Sequence, residues 1–133
     1  MRIDFTLTLP GLFEVHRIQQ LADEFGVDVL AKVVFSFGPD IILSPLALPR
    51  AILDRKIDEL TANLESGAMR DVLLQLKTRP TFAEQWPDSF ADALAKGKRR
   101  VLQLESIRGD TFTLADILRQ DTEILEWYES IVT

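Results

Sequence analysis

The stretch VDVLAKVVFSF, Val27 to Phe37, decides how this chain folds. It is nearly all apolar and rich in Val and Phe, the composition of a β-strand covered on both faces. Such a strand needs a neighbour. The chain offers one upstream, where Ile3, Phe5, Leu7 and Leu9 alternate with Asp4, Thr6 and Thr8 until Pro10-Gly11 stops the period-2 pattern. Between the two, Phe13, Ile18, Leu21, Ala22 and Phe25 recur at roughly helical spacing, and Gly26 supplies a C-terminal stop. Short links joining strand, helix and strand predict a β-α-β unit with parallel strands and a right-handed crossover.

Downstream the pattern changes. GPDIILSPLALP is a loop punctuated by Pro39, Pro45 and Pro49, the last suited to the first turn of a helix. Ile52, Leu53, Ile57, Leu60 and Leu64 then form an apolar stripe ending near Ser66-Gly67, and Met69, Val72, Leu73 and Leu76 a shorter one ended by Pro80. Phe90, Leu94, Gly97, Val101 and Leu104 make a sustained helical stripe that Gly109 closes. Thr113 with Asp116 resembles a capping box, and the last predicted helix carries Ile117, Leu118, Ile124, Leu125 and Tyr128. The expected fold is α/β. A short parallel β-α-β element with its following loop occupies 1–48, and a helical C-terminal subdomain occupies 49–133, packed as one unit. Two parallel strands are too few for a self-sufficient sheet. The strands must therefore pair with a second copy, or be the end of a larger α/β protein.

Composition narrows function by exclusion. The 133 residues contain no Cys, which excludes a disulfide framework, a Cys-based zinc site, a cysteine nucleophile and a thiolate-held iron–sulfur cluster within this chain. A cytoplasmic location fits that usage. The net charge of −6 argues against nucleic acid as a partner. No apolar run approaches the ~20 residues of a membrane span. The densest cationic run, Lys96-Gly-Lys98-Arg99-Arg100, is that of a solvated helix face.

No Gly-rich phosphate loop, Ser-His-Asp arrangement or metal-ligand spacing is present, so no catalytic set is assigned. His16 is the only histidine, and it follows the strand end at Leu9-Pro10-Gly11. Ligands in open α/β sheets and barrels gather at the C-terminal ends of strands, which makes Thr8, Gly11, His16, Ser36 and Asp40 candidates for ligand contact. In the segment LQLESIRGDTFTLADIL, Leu102 to Leu118, Gly109 suits a helix C-cap and Glu105 stands three residues before Arg108, close enough for an ion pair. Phe112 is placed to staple the restarting helix, and Arg108 is a candidate contact for substrate or partner.

Three stretches together resemble twitch-domain radical SAM proteins. TLTLPGLFEVHRIQQLADEFGVD is similar to the strand, turn and helix preceding the last barrel strand of that family. VFSFGPDIILSPLALP is similar to the loop that follows, with Pro39, Leu43, Ser44, Leu48 and Pro49 at the matching places. LESIRGDTF resembles the family's C-terminal segment through Leu104, Glu105, Arg108, Gly109, Thr111 and Phe112. The resemblance implies the end of a partial barrel, in an enzyme that uses a [4Fe–4S] cluster to cleave S-adenosylmethionine reductively to a radical. The CxxxCxxC loop that binds the cluster is absent, and Gly11 stands about where the family often has an Asn that helps hold S-adenosylmethionine. The resemblance thus implies a C-terminal portion that is not catalytic alone, as a separate fragment, a split-gene product partnered by the remainder of the enzyme, or a diverged descendant without cluster chemistry, with Thr8, Gly11 and Ser36 nearest the cofactor. The alternative is a small cytosolic interaction module that dimerises or docks a partner through its strand edge and helices.

Overall fold

The computed structural model describes residues 1–33, 41–109 and 111–133. The β-α-β element is present. Strand β1 (Arg2–Leu7) runs parallel to β2 (Asp28–Val33), with Ile3 beside Val29, Phe5 beside Ala31 and Leu7 beside Val33. Helix α1 (Val15–Phe25) connects them and packs on both. Gly26 ends it in the left-handed region at φ 63°, where a residue without Cβ is unstrained.

Three details differ from the sequence expectation. The β2 strand is not buried on both faces: Asp28 and Lys32 are exposed, and Val29, Leu30, Ala31 and Val33 are half-buried. The paired register explains why. Ile3, Phe5 and Leu7 share a face with Val29, Ala31 and Val33, whereas the opposite face carries Arg2, Asp4, Thr6, Asp28 and Lys32 around one Leu30. Residues 34–37, the most apolar part of the expected strand, lie outside the described residues. Leu9 is no longer strand, because the chain turns into a 3-10 helix (Pro10–Glu14). It stays fully buried, and its N–H donates to Leu43 O at 2.7 Å. Phe25, expected on the buried stripe, is 73% exposed.

Two further 3-10 turns, Ile41–Leu43 and Pro45–Ala47, lead into α2 (Arg50–Thr61), with Pro49 one residue ahead of the helix. Leu53, Ile57, Leu60 and Leu64 are buried as their spacing predicts, but the helix stops at Thr61. There the Thr61 hydroxyl donates back to Ile57 O at 2.8 Å, and Arg70 donates to the end carbonyls of Thr61 and Leu64. Helix α3 (Ala68–Thr78) packs beside α2 and against β2, burying Met69, Val72, Leu73 and Leu76. After α4 (Phe82–Gln85) comes the long α5 (Phe90–Arg108). Its stripe is buried at Leu94 and Gly97 but half-exposed by Val101 and 38% exposed at Leu104, so the C-terminal half of α5 stands away from the core. The expected last helix is two, α6 (Leu114–Leu118) and α7 (Thr122–Ser130), because Asp121 caps a fresh start by accepting from Ile124 N–H at 3.2 Å.

The core is one cluster drawing on Leu7, Leu9 and Leu12 as well as Ile57, Leu73, Leu118 and Tyr128, so both halves of the chain build it. Among the described residues no helix is long and apolar enough to cross a membrane.

Candidate functional site

The joint between α5 and α6 is built almost entirely from local hydrogen bonds. Gly109, at φ 63°, gives the α5 end its left-handed cap, with backbone bonds to Glu105 O and Ser106 O. Thr113 Oγ1 accepts from Asp116 N–H at 3.3 Å while Asp116 Oδ2 accepts from Thr113 N–H at 2.9 Å, completing the expected capping box. That backbone bond, with the Thr113 hydroxyl and Arg119's charge, holds the Asp116 carboxyl below its ordinary range. Glu105 has a role that spacing did not predict. Its Oε2 accepts from Leu114 N–H at 2.7 Å, so one helix caps the next.

The uncovered half of α5 and the face of α6 border a groove of about 260 Å³. Val101, Leu104, Leu114 and Ile117 line it from the helices, and Pro10 and Leu43 from the strand-end turns. Phe112 forms one wall and is 68% exposed, so it is not the buried staple expected. Arg100 and Arg108, both exposed, supply cationic groups to the lining. Tyr128 is buried behind this region. Its hydroxyl makes no hydrogen bond among the described residues, and burial, followed by Glu105's negative charge, pushes its pKa up to about 12.

The groove brings together segments that are distant in sequence. Leu9 N–H holds Leu43 O, α5 packs on the Ile41–Leu43 turn, and α6 packs on the Pro10–Glu14 turn. Of the candidate residues, Arg108 lines the groove. Thr8 and Gly11 sit just before it, but they engage each other: Gly11 N–H donates to Thr8 Oγ1 at 2.9 Å. A Cβ at Gly11 would stand 3.0 Å from that oxygen and 3.4 Å from the tip of the Phe5 ring, which gives glycine a packing reason there. His16 is exposed on the first turn of α1 and does not line the groove. Ser36 and Asp40 lie outside the described residues, as does Asp110.

Sequence reasoning missed the most elaborate polar cluster. Lys56 is buried on α2, with Nζ 3.0 Å from Glu59, 3.4 Å from Asp121 and 4.9 Å above the Phe13 ring centroid. Arg55 closes the set with two 2.9 Å bonds to Asp121 and one of 2.6 Å to Glu123. Burial pushes the Asp121 carboxyl up, but the bonds from Arg55 and Ile124 N–H and the charge of Lys56 outweigh it and hold the group below its ordinary range. A signal was available: Lys56 falls three residues after Leu53 and four after Ile52, on the apolar stripe itself. The expected solvated run is likewise half structural, since Lys98 donates to the carbonyls of Tyr128 and Ile131 at 2.8 and 3.0 Å and secures the end of α7.

Comparison with family models, curated proteins and solved structures found no significant match.

Proposed function

We propose that this chain is the C-terminal portion of a radical SAM, twitch-type enzyme, contributing the last strands of a partial barrel and part of the substrate-side wall. What supports the reading is the convergence of the segments that resemble the family. The strand end, the Leu43–Pro49 turns and the Leu104–Phe112 joint pack on one another around a single groove, just beyond the C-terminal end of β1. In α/β barrels that end is where ligands bind.

The chain's own groups do not fit the cluster. It has no Cys, and among the described residues no group of His, Asp and Glu could hold a metal ion. Thr8 and Gly11, nearest to the cofactor by the resemblance, spend their polar groups on each other. On this reading the cluster chemistry lies outside these residues, and this chain's work is to complete and wall the barrel.

The test is reconstitution with a CxxxCxxC-bearing polypeptide encoded beside this chain. The two should co-elute, and 5′-deoxyadenosine should form from S-adenosylmethionine and a one-electron reductant faster with both than with the cluster protein alone. The reading fails if no CxxxCxxC segment is encoded ahead of or beside these residues, or if the pair elutes separately and turnover ignores the added chain.

A second reading, a small interaction module, draws on the same unfinished sheet. Among the described residues β1 pairs with β2 alone, and Leu102, Ile107 and Phe112 are exposed. Light scattering separates this reading, since a self-pairing module is a concentration-dependent dimer and a strict monomer in isolation removes the self-pairing.

A further inference from the structure

We propose that the outer edge of β1 pairs with the same edge of a second copy of this chain, antiparallel about a two-fold axis at Ile3. The inference rests on the interaction-module reading and names its partner and register. Among the described residues β1 pairs with β2 on one side only, and apart from that ladder no backbone hydrogen bond reaches residues 2–6. This part of the edge stands away from Val33, which lies beside Leu7, and from the Ile41–Leu43 turn, which is bonded to Leu9. Its side chains are also open. Arg2, Asp4 and Thr6 are exposed and Ile3 and Phe5 half-buried. Pairing two such edges turns a marginal two-stranded sheet into a four-stranded one.

Charge and face select the second copy. Arg2 and Asp4 lie on one face of β1, 3.0 Å apart, so the edge is balanced although the chain carries −6 overall. With Ile3 opposite Ile3 of the second copy, Arg2 faces Asp4 of the other copy twice over, and opposite charges directly across a pair of strands attract. Met1, fully exposed, then stands opposite Phe5 on the apolar face. Other registers lose this match. A one-residue slip sets Ile3 against Asp4 and mixes the two faces. Centring on Asp4 puts its carboxylate against its own copy, and centring on Phe5 leaves Arg2 facing Thr8, which is past the strand and bonded to Gly11. An antiparallel two-fold also keeps both apolar faces on the same side of the joined sheet, as an isologous contact requires.

Sedimentation equilibrium of the full chain should show a monomer–dimer equilibrium that favours the dimer as concentration rises towards millimolar. Arg2→Glu and Asp4→Arg each make both cross-strand pairs repulsive and should weaken the dimer about ten-fold. An equimolar mixture of the two variants restores opposite charges at both pairs and should dimerise as the parent does. Both substitutions change exposed side chains, and unshifted amides in α2 and α3 would verify folding. The chain has no Cys, so Ile3→Cys and Asp4→Cys each carry a single thiol. Ile3→Cys meets its own copy across the axis, with Cα atoms about 4.5–5.5 Å apart, and should oxidise readily to a disulfide-linked dimer, whereas Asp4→Cys should not. A dimer indifferent to the charge variants, or one that links through Asp4→Cys in preference, would overturn the proposal and leave the interaction-module reading standing. A strict monomer up to millimolar concentration would overturn the proposal and remove self-pairing from that reading as well.

Discussion

Lys56 and Asp121 form the contact where a single side chain matters most. Both are buried, and Asp121 also caps α7 and receives Arg55. Removing either partner is not symmetrical. Asp121→Ala leaves the buried Lys56 ammonium with the half-exposed Glu59 as its remaining acidic partner, strips Arg55 of its paired bonds and uncaps a helix, so it should cost about 2 kcal/mol or more. Lys56→Met replaces the buried ammonium with an apolar chain of similar length while Arg55 still neutralises Asp121, and should stay within about 1 kcal/mol of the parent. Urea unfolding of the two variants and their double mutant checks this. The double mutant should be clearly more stable than the sum of single losses implies, because the stranded charge is gone. Equal losses for the two single variants would show that the Lys56 ammonium contributes as much as Asp121 and would overturn the asymmetry.

Among the elements, the ends of the helices carry as much of the structure as their apolar faces. Arg50, at the start of α2, reaches the carbonyls of Leu76, Lys77 and Arg79 at the end of α3, and donates to Glu84 at 2.8 Å. Glu84 in turn accepts from Thr81 N–H at 2.7 Å in the capping box of α4. The bond from Arg50 and then that from Thr81 bring the Glu84 pKa down to about 2 from an ordinary 4.5. A carboxyl depressed on folding stabilises the native state above its unfolded pKa and loses that contribution as pH falls through the folded value. The stability gap between the parent and Glu84→Gln should therefore be full above about pH 4.5 and shrink steadily towards pH 2. A gap that is flat across that window in guanidinium or thermal unfolding would mean that Glu84 is exposed and unengaged. This network also marks what sequence reading could reach. The stripes at Leu53–Leu64 and Met69–Leu76, the Gly26 and Gly109 stops and the Thr113–Asp116 box were legible because each is a local pattern. Arg50 to Glu84, Arg55 to Asp121 and Lys98 to Tyr128 on α7 were not, since their partners lie 30 residues or more apart and only the packed helices bring them together. The candidate site was half legible. The joint at Gly109 and Arg108 could be marked from its residues, but the groove exists only because the Pro10 and Leu43 turns close it from the far end of the chain.

At the scale of the whole molecule, the helices form a finished core and the sheet does not. Leu53, Ile57, Leu73 and Leu76 are fully buried between α2 and α3, whereas β2 is half-buried, its outer face is polar, and among the described residues β1 has a strand on one side only. The sequence suggested a doubly covered strand because a run of Val and Phe carries no record of where its neighbours are. Two-stranded sheets are marginal on their own, and proteins open in cooperative units whose free energies follow local burial. Native-state hydrogen exchange should therefore resolve two tiers in the isolated chain. Amides of α2 and α3 should exchange only through global unfolding. Those of β1 and β2 should open about 2 kcal/mol or more below that limit, roughly thirty-fold faster at the same intrinsic rate. A strand-donating partner should lift the lower tier towards the upper one, beginning with β1, whose outer edge it would pair. If β1 and β2 already exchange as slowly as α2 in a chain that light scattering finds monomeric, the sheet is self-sufficient. Neither a split barrel nor a self-pairing module would then be needed to explain it.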